Sequence, residues 1–293
     1  MSVLGDGFLL AEYRILKILR PGGFSVTYLA RDEQLGRLLE IMEYFPSDLS
    51  FRSGVTVRAR ERCEDQFACG KARFIEEAQI LARFDHPSFV RVLRVFDANN
   101  TSYIVREHLS GRSLKQWAAE LAIPPMQAEL DRLIVPLLDA LSMLHRNGTL
   151  HQGVSPDHVY VRDSGPPVLL GFGAGRPAMA QRQETVAATV KPGFSPVEQY
   201  STKDRVQGPW SDIYGFAATI YFVVTGAPPK PATERLIRDD HVSAKQGALG
   251  RDRFRETFLA AIDWGLALAP SQRPQSIEQW RPALLSSADI GAV

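Results

Sequence analysis

The chain has 293 residues, 45% hydrophobic and 23% charged, the balance of a folded globular protein and not of a disordered one. With Lys+Arg at 34 and Asp+Glu at 33 the net charge is +1, so no global field draws the chain to nucleic acid or to an anionic membrane. Its two cysteines, Cys63 and Cys69, are spaced too widely for a CxxC pair, which leaves neither a disulfide framework nor a zinc site.

The opening MSVLGDGFLLAEY lacks the basic flank and long apolar stretch of a secretory signal. The longest apolar run, Phe216 to Val224, is far shorter than the ~20 residues that cross a bilayer and reads as a buried helix. A cytoplasmic protein without a membrane span is expected. From Tyr13 to Met42 the pattern is strand-like, with Gly22 and Gly23 marking a hairpin and Gly36 a second turn. Within the polar stretch from Phe45 to Gly70, Arg52, Arg58, Arg60 and Arg62 are diluted by Glu61, Glu64 and Asp65, and residues 52–62 read as a solvated loop, with binding of phosphate or an acidic partner as the alternative. In RFIEEAQILARF, Phe74, Ile75, Ala78, Ile80, Leu81 and Phe84 recur at helical spacing. Two more strands follow around the Asn99-Asn100 turn, and from Ser113 onward most long segments are helical. Strands with one helix, then many helices, predict an α+β protein: residues 13–109 as a five-stranded antiparallel lobe, 110–285 as a mainly helical lobe, and 1–12 and 286–293 as terminal extensions.

Several segments then carry a resemblance. RLLEIMEYFPSDL resembles the third strand of bacterial serine/threonine protein kinases that read VAIKEYFP there. LHQGVSPDHVYVRDSGPPVLLGFGAGR is similar to their catalytic and metal loops, and KPGFSPVEQY with GPWSDIYGF to the end of their activation segment. The order and spacing hold from about Tyr13 to Leu284. The resemblance implies a two-lobed protein-kinase-like fold with a hinge near Glu107 to Gly111.

The same register shows where the family's chemistry is missing. That chemistry uses a lysine on ATP phosphates, an aspartate as base, and an asparagine and an aspartate on Mg²⁺. In this sequence those positions are held by Met42, Gly153, His158 and Gly171, and the lysine of the catalytic loop by Ser155. Of the phosphate loop's glycines only Gly22 survives, between Arg20 and Ser25. Glu40 takes the small roof position over adenine and Arg106 the gatekeeper position. Residues 40 and 42 are two apart on a strand and face the same side, so both are expected in the cleft. A carboxylate there is expected to repel triphosphate, and Arg106 to pair with Glu40 or Glu77. Tyr160 is expected at the pocket floor.

Positions implied to hold the architecture are retained: Glu77 on the helix, Glu198 and its partner Arg273, Asp212 beneath the catalytic loop, and His151, Phe172, Leu81 and Val92 in the apolar stack. Lys17 and Lys71 are the candidates for a displaced strand lysine. Together these readings predict a pseudokinase: no catalytic group, no metal, ATP and Mg²⁺ binding absent or weak, and action through a protein partner such as an active kinase, a phosphatase or a phosphopeptide-binding protein. The alternative is a weakly active or atypical ATP-dependent kinase or other nucleotidyl or phosphoryl transferase. A sensor that holds another small molecule in the cleft remains a third.

Overall fold

The computed structural model describes residues 3–171, 190–200 and 206–286. These fall into two units. One comprises the described residues of Met1–Asp85 and Phe89–Leu109, the other His86–Ser88 and the described residues from Ser110 onward.

The first unit is a six-stranded antiparallel sheet in the order β1-β2-β3-β4-β8-β7, built from β1 (Leu9–Leu10), β2 (Tyr13–Pro21), β3 (Ser25–Asp32), β4 (Leu38–Tyr44), β7 (Val92–Ala98) and β8 (Thr101–Glu107). It has one strand more than the sequence pattern predicts, because the two-residue β1 is too short to show periodicity. β4 and β8 lie inside the sheet and are buried on both faces over most of their length, so their burial does not alternate, and the polar residues they carry, Glu40, Glu43 and Arg106, are buried with the apolar ones. Ile15, Val26, Tyr28, Leu39, Ile41, Tyr103 and Val105 form the centre of this core, each with no exposed surface.

The helix of this unit, α1, runs Glu64–Leu81 and starts ten residues before Phe74, the first residue of the apolar pattern that announces it. Its buried residues Phe67, Gly70, Phe74, Ala78 and Leu81 recur every three or four positions, placing one stripe on the core. Glu64 and Asp65 in its first turn suit the positive end of the helix.

The segment expected to be a solvated loop is instead a hairpin, β5 (Ser50–Ser53) and β6 (Thr56–Ala59), turning at Gly54. Arg52 is the correction. Its side chain is 1% exposed, its Nη2 donates to Glu43 Oε2 at 2.5 Å, and its guanidinium stacks on Phe45. Tyr28 and Tyr103 hydroxyls donate to the same carboxylate at 2.8 and 2.7 Å, so the buried Glu43 charge is met by a cation and two donors.

The second unit carries a small sheet, β11-β10-β9, from β9 (Gly111–Ser113), β10 (Val159–Arg162) and β11 (Val168–Leu169). Its helices are α2 (Leu114–Ala119), α3 (Gln127–Arg146), α4 (Pro209–Thr225), the short α5 (Ala232–Arg235) and α6 (Ala244–Gly247), α7 (Glu256–Gly265) and α8 (Ile277–Leu285). Ser113 caps α2 in a reciprocal pair with Gln116. α4 starts at a proline, ends at the left-handed Gly226 and is buried nearly all round, as its apolar sequence requires. Trp280 on α8 is fully buried and donates its ring N–H to Ala261 O at 2.8 Å. Among the described residues no helix is long and apolar enough to cross a membrane.

Candidate functional site

On the sheet, Glu40 and Arg106 are direct partners across β4 and β8. Arg106 Nη2 and Nε donate to Glu40 Oε2 at 2.6 and 3.1 Å, Arg20 Nη2 donates to the same oxygen at 2.9 Å, and His108 Nδ1 lies 3.4 Å from Oε1. Glu40 and Arg106 are 2% and 6% exposed. Burial pushes the Glu40 carboxyl up, but the guanidiniums of Arg106 and Arg20 outweigh it and hold the group below its ordinary value. The expected repulsion of an anion by Glu40 is therefore corrected: its charge is neutralised within the cluster, and what it presents is occupied volume.

Met42, two residues on, pairs with Thr27 and Ile104 and brings a thioether where the resemblance places a cation. Lys71 donates to Asp97 Oδ2 at 2.9 Å instead of reaching this face. After β2 the chain turns at Gly22, where a Cβ would lie 2.6 Å from the Ser25 carbonyl oxygen; Gly23 has open space.

Glu77 on α1 forms no hydrogen bond or ion pair among the described residues. Part of the residue is exposed, but its carboxyl lies deep, and burial pushes it up to about 8 while Arg106 pulls the other way. A carboxyl raised above its unfolded value of about 4.5 costs nothing below that pH, and its penalty grows until the folded group itself ionises. Glu77→Gln should leave stability unchanged near pH 4.5 and increase it by roughly 2–4 kcal/mol at pH 8, measured by denaturant unfolding across that range. A pH-independent effect would show the carboxyl to be solvated.

In the second unit the loop at residues 150–158 is tied to α4 by Asp212. His151 N and Gln152 N donate to its Oδ2 and Oδ1 at 2.8 and 2.6 Å, and His145 Nε2 lies 2.9 Å from Oδ2. Despite full burial, these partners hold the Asp212 carboxyl below its usual range. His151 is fully buried, as a core histidine. Glu198 and Arg273 are paired at 2.7 and 3.2 Å, and Ser211 Oγ donates to the same carboxylate. Tyr160, on β10, donates its hydroxyl to Gly111 O at 2.7 Å. Phe172 lies outside the described residues.

Gly153, His158 and Gly171 pack on one another. A Cβ added at Gly153 would lie 2.7 Å from Gly171 O, and one at Gly171, whose φ is +70°, would lie 2.7–2.8 Å from three atoms of the His158 ring. His158 Nδ1 is 2.7 Å from Gly153 O, and Lys191 Nζ is 3.3 Å from Nε2 and 2.8 Å from Ser155 Oγ. The residues present do not fit the Mg²⁺ that the family's chemistry requires. Neither position offers a carboxylate, the imidazole fills the space a side chain at 171 would need, and a lysine ammonium stands beside the ring. Among the described residues no group of three or more His, Cys, Asp or Glu could hold a metal ion. Sequence reasoning missed Lys191; a lone lysine between Val190 and Pro192 carries no periodic signal.

Comparison with known proteins agrees with the fold. The protein kinase domain model matches residues 56–281. Serine/threonine-protein kinase D of Synechocystis sp. is 27% identical over 300 residues, which cover 97% of this chain and 54% of that protein. The probable serine/threonine-protein kinase PknB of Lactococcus lactis is 29% identical over 221 residues, 74% of this chain and 32% of that one. The chain thus spans about half or less of the length of these curated relatives. Among solved structures, PpkA-294 in its apo form superposes with a TM-score of 0.88 at 34% identity, covering 97% of this chain and 100% of that chain. The Mycobacterium tuberculosis PknI kinase domain, at 20% identity and a TM-score of 0.68, shares the fold.

Proposed function

The chain belongs to the protein kinase family, and from that premise we propose that it acts by binding a protein partner and not by phosphoryl transfer. The observation that carries this reading is the packing of Gly153, His158 and Gly171. The groups that serve as base and metal ligands in the family are absent, the space a side chain at 171 would need is taken by a hydrogen-bonded imidazole, and that at 153 by the Gly171 carbonyl. Transfer within this family rests on positioning and charge neutralisation, so losing those groups together removes the mechanism and does not merely slow it. Met42 and the Glu40–Arg106 pair extend the same reading to the sheet.

The retained Asp212 contacts and the buried Glu198–Arg273 pair support a scaffold kept for shape. Apolar surface is available for protein contacts: Val206, Leu236 and Ile237 are 77%, 53% and 89% exposed beside a groove of about 580 Å³ that Val206 and Leu236 help to line. A cytoplasmic active kinase, phosphatase or phosphopeptide-binding protein is the class of partner proposed. Isothermal titration with ATP is the test. Binding should be undetectable or weak, and the same with Mg²⁺ or with EDTA. Micromolar affinity that requires Mg²⁺, with transfer of label to a protein hydroxyl, would instead establish the weakly active or atypical transferase.

A further inference from the structure

We infer that Lys191 is a half-buried cation that clamps the segment 190–200 on to the catalytic loop through Ser155 and His158. The resemblance places a lysine at position 155. Here a serine with no exposed surface stands there, and the ammonium beside it arrives from a residue 36 positions later in the chain.

The hydrogen-bond directions are determined by chemistry. A carbonyl only accepts, so His158 Nδ1 carries the proton that goes to Gly153 O. In the neutral ring that leaves Nε2 as an acceptor, and Lys191 Nζ faces it at 3.3 Å while donating to Ser155 Oγ at 2.8 Å. A doubly protonated ring would set an N–H against the ammonium, two like charges at hydrogen-bond distance. The clamp therefore specifies a neutral His158 in its Nδ1–H form.

The backbone of Lys191 shows what is being held. Its carbonyl accepts from Phe194 N and Ser195 N, both at 2.9 Å, and its N–H donates to Ser195 Oγ at 3.0 Å. It is the first residue of the turn that leads into Val197–Gln199, where Glu198 meets Arg273. One ammonium thus joins the loop to the turn that presents the buried ion pair. The replacements at 153, 155, 158 and 171 then form a coupled set. A divalent cation would meet the Lys191 charge, and an aspartate restored at 171 would collide with the His158 ring before it could reach a metal.

The inference deepens the reading of this loop as metal-free and rests on it. Its test uses the unliganded chain, so a nucleotide titration that fails the one does not decide the other. Amide hydrogen exchange should be at least about tenfold faster over residues 192–199 in Lys191→Met, with α7 unchanged, and roughly threefold faster there in the milder Ser155→Ala. Long-range ¹H–¹⁵N correlation on the unaltered chain should show His158 in the Nδ1–H form at pH 7. Should Lys191→Met fail to fold, Ser155→Ala and the tautomer decide. Unchanged exchange over 192–199 in the folded variants, or an Nε2–H or doubly protonated His158, overturns the clamp.

Discussion

Arg273→Met is expected to be the most damaging single substitution, lowering stability by about 3–5 kcal/mol, the usual cost of removing one partner from a buried pair. Arg273 and Glu198 side chains are 0% and 1% exposed. The guanidinium also donates to the carbonyls of Ala267, Leu268 and Trp210, at 2.7, 2.9 and 3.3 Å, and stacks over Tyr214. Methionine keeps much of the volume but leaves Glu198 with the Ser211 hydroxyl alone and three carbonyls short of a donor. A fall in melting temperature on the order of 10 °C follows for a domain of this size. Lysine should rescue only part, since it carries the charge without the fork that meets both carboxylate oxygens. Thermal unfolding of the two variants checks this. A loss below about 1 kcal/mol would mean that water reaches the pair and that its burial is misjudged.

How far these residues were legible in the sequence depends on whether a local rule reaches them. Asp212, Glu198 and Arg273 sit in motifs whose register survives, so their placement followed from counting. The Glu40–Arg106 contact followed from register and from the two-residue period of a strand, which is rigid enough to put named side chains on a face. Arg52 was different. Its burial depends on a hairpin folding back over Glu43, and an arginine-rich stretch diluted with acids gives no local hint that one guanidinium is inside. The start of α1 was hidden in the same way, because EDQFACG is too polar to show its single stripe until Phe67 and Gly70 are seen against the core. Lys191 was hidden for a further reason: its meaning lies in Ser155 and His158, which no helical or strand period connects to it. What the motifs could announce was which residue types stand at 153, 158 and 171. How those residues pack required distances.

The last prediction concerns the cluster on the sheet. Arg106→Met should cost about 3 kcal/mol, toward the lower end for a broken buried pair, because Arg20 still donates to Glu40 from a side chain that is 44% exposed. Combining it with Glu40→Ala should recover a substantial part of that loss, since the carboxylate that Arg106 compensates is then gone as well. The coupling between the two positions should be on the order of 1–3 kcal/mol. Glu77 supplies an independent reading. In Glu40→Ala, Arg106 has lost its carboxylate acceptor while still acting on Glu77, so the carboxyl held up to about 8 by burial should titrate lower, as seen in its side-chain ¹³C shift. In Arg106→Met the same resonance should move the other way, because the Arg106 attraction that opposes burial has been removed. The double variant opens volume without adding a phosphate ligand at Met42 or a carboxylate at Gly171, so Mg²⁺-dependent nucleotide binding should not return with it. Fully additive effects at 40 and 106, with Glu77 unmoved in both single variants, would mean that the three side chains are neighbours without being partners.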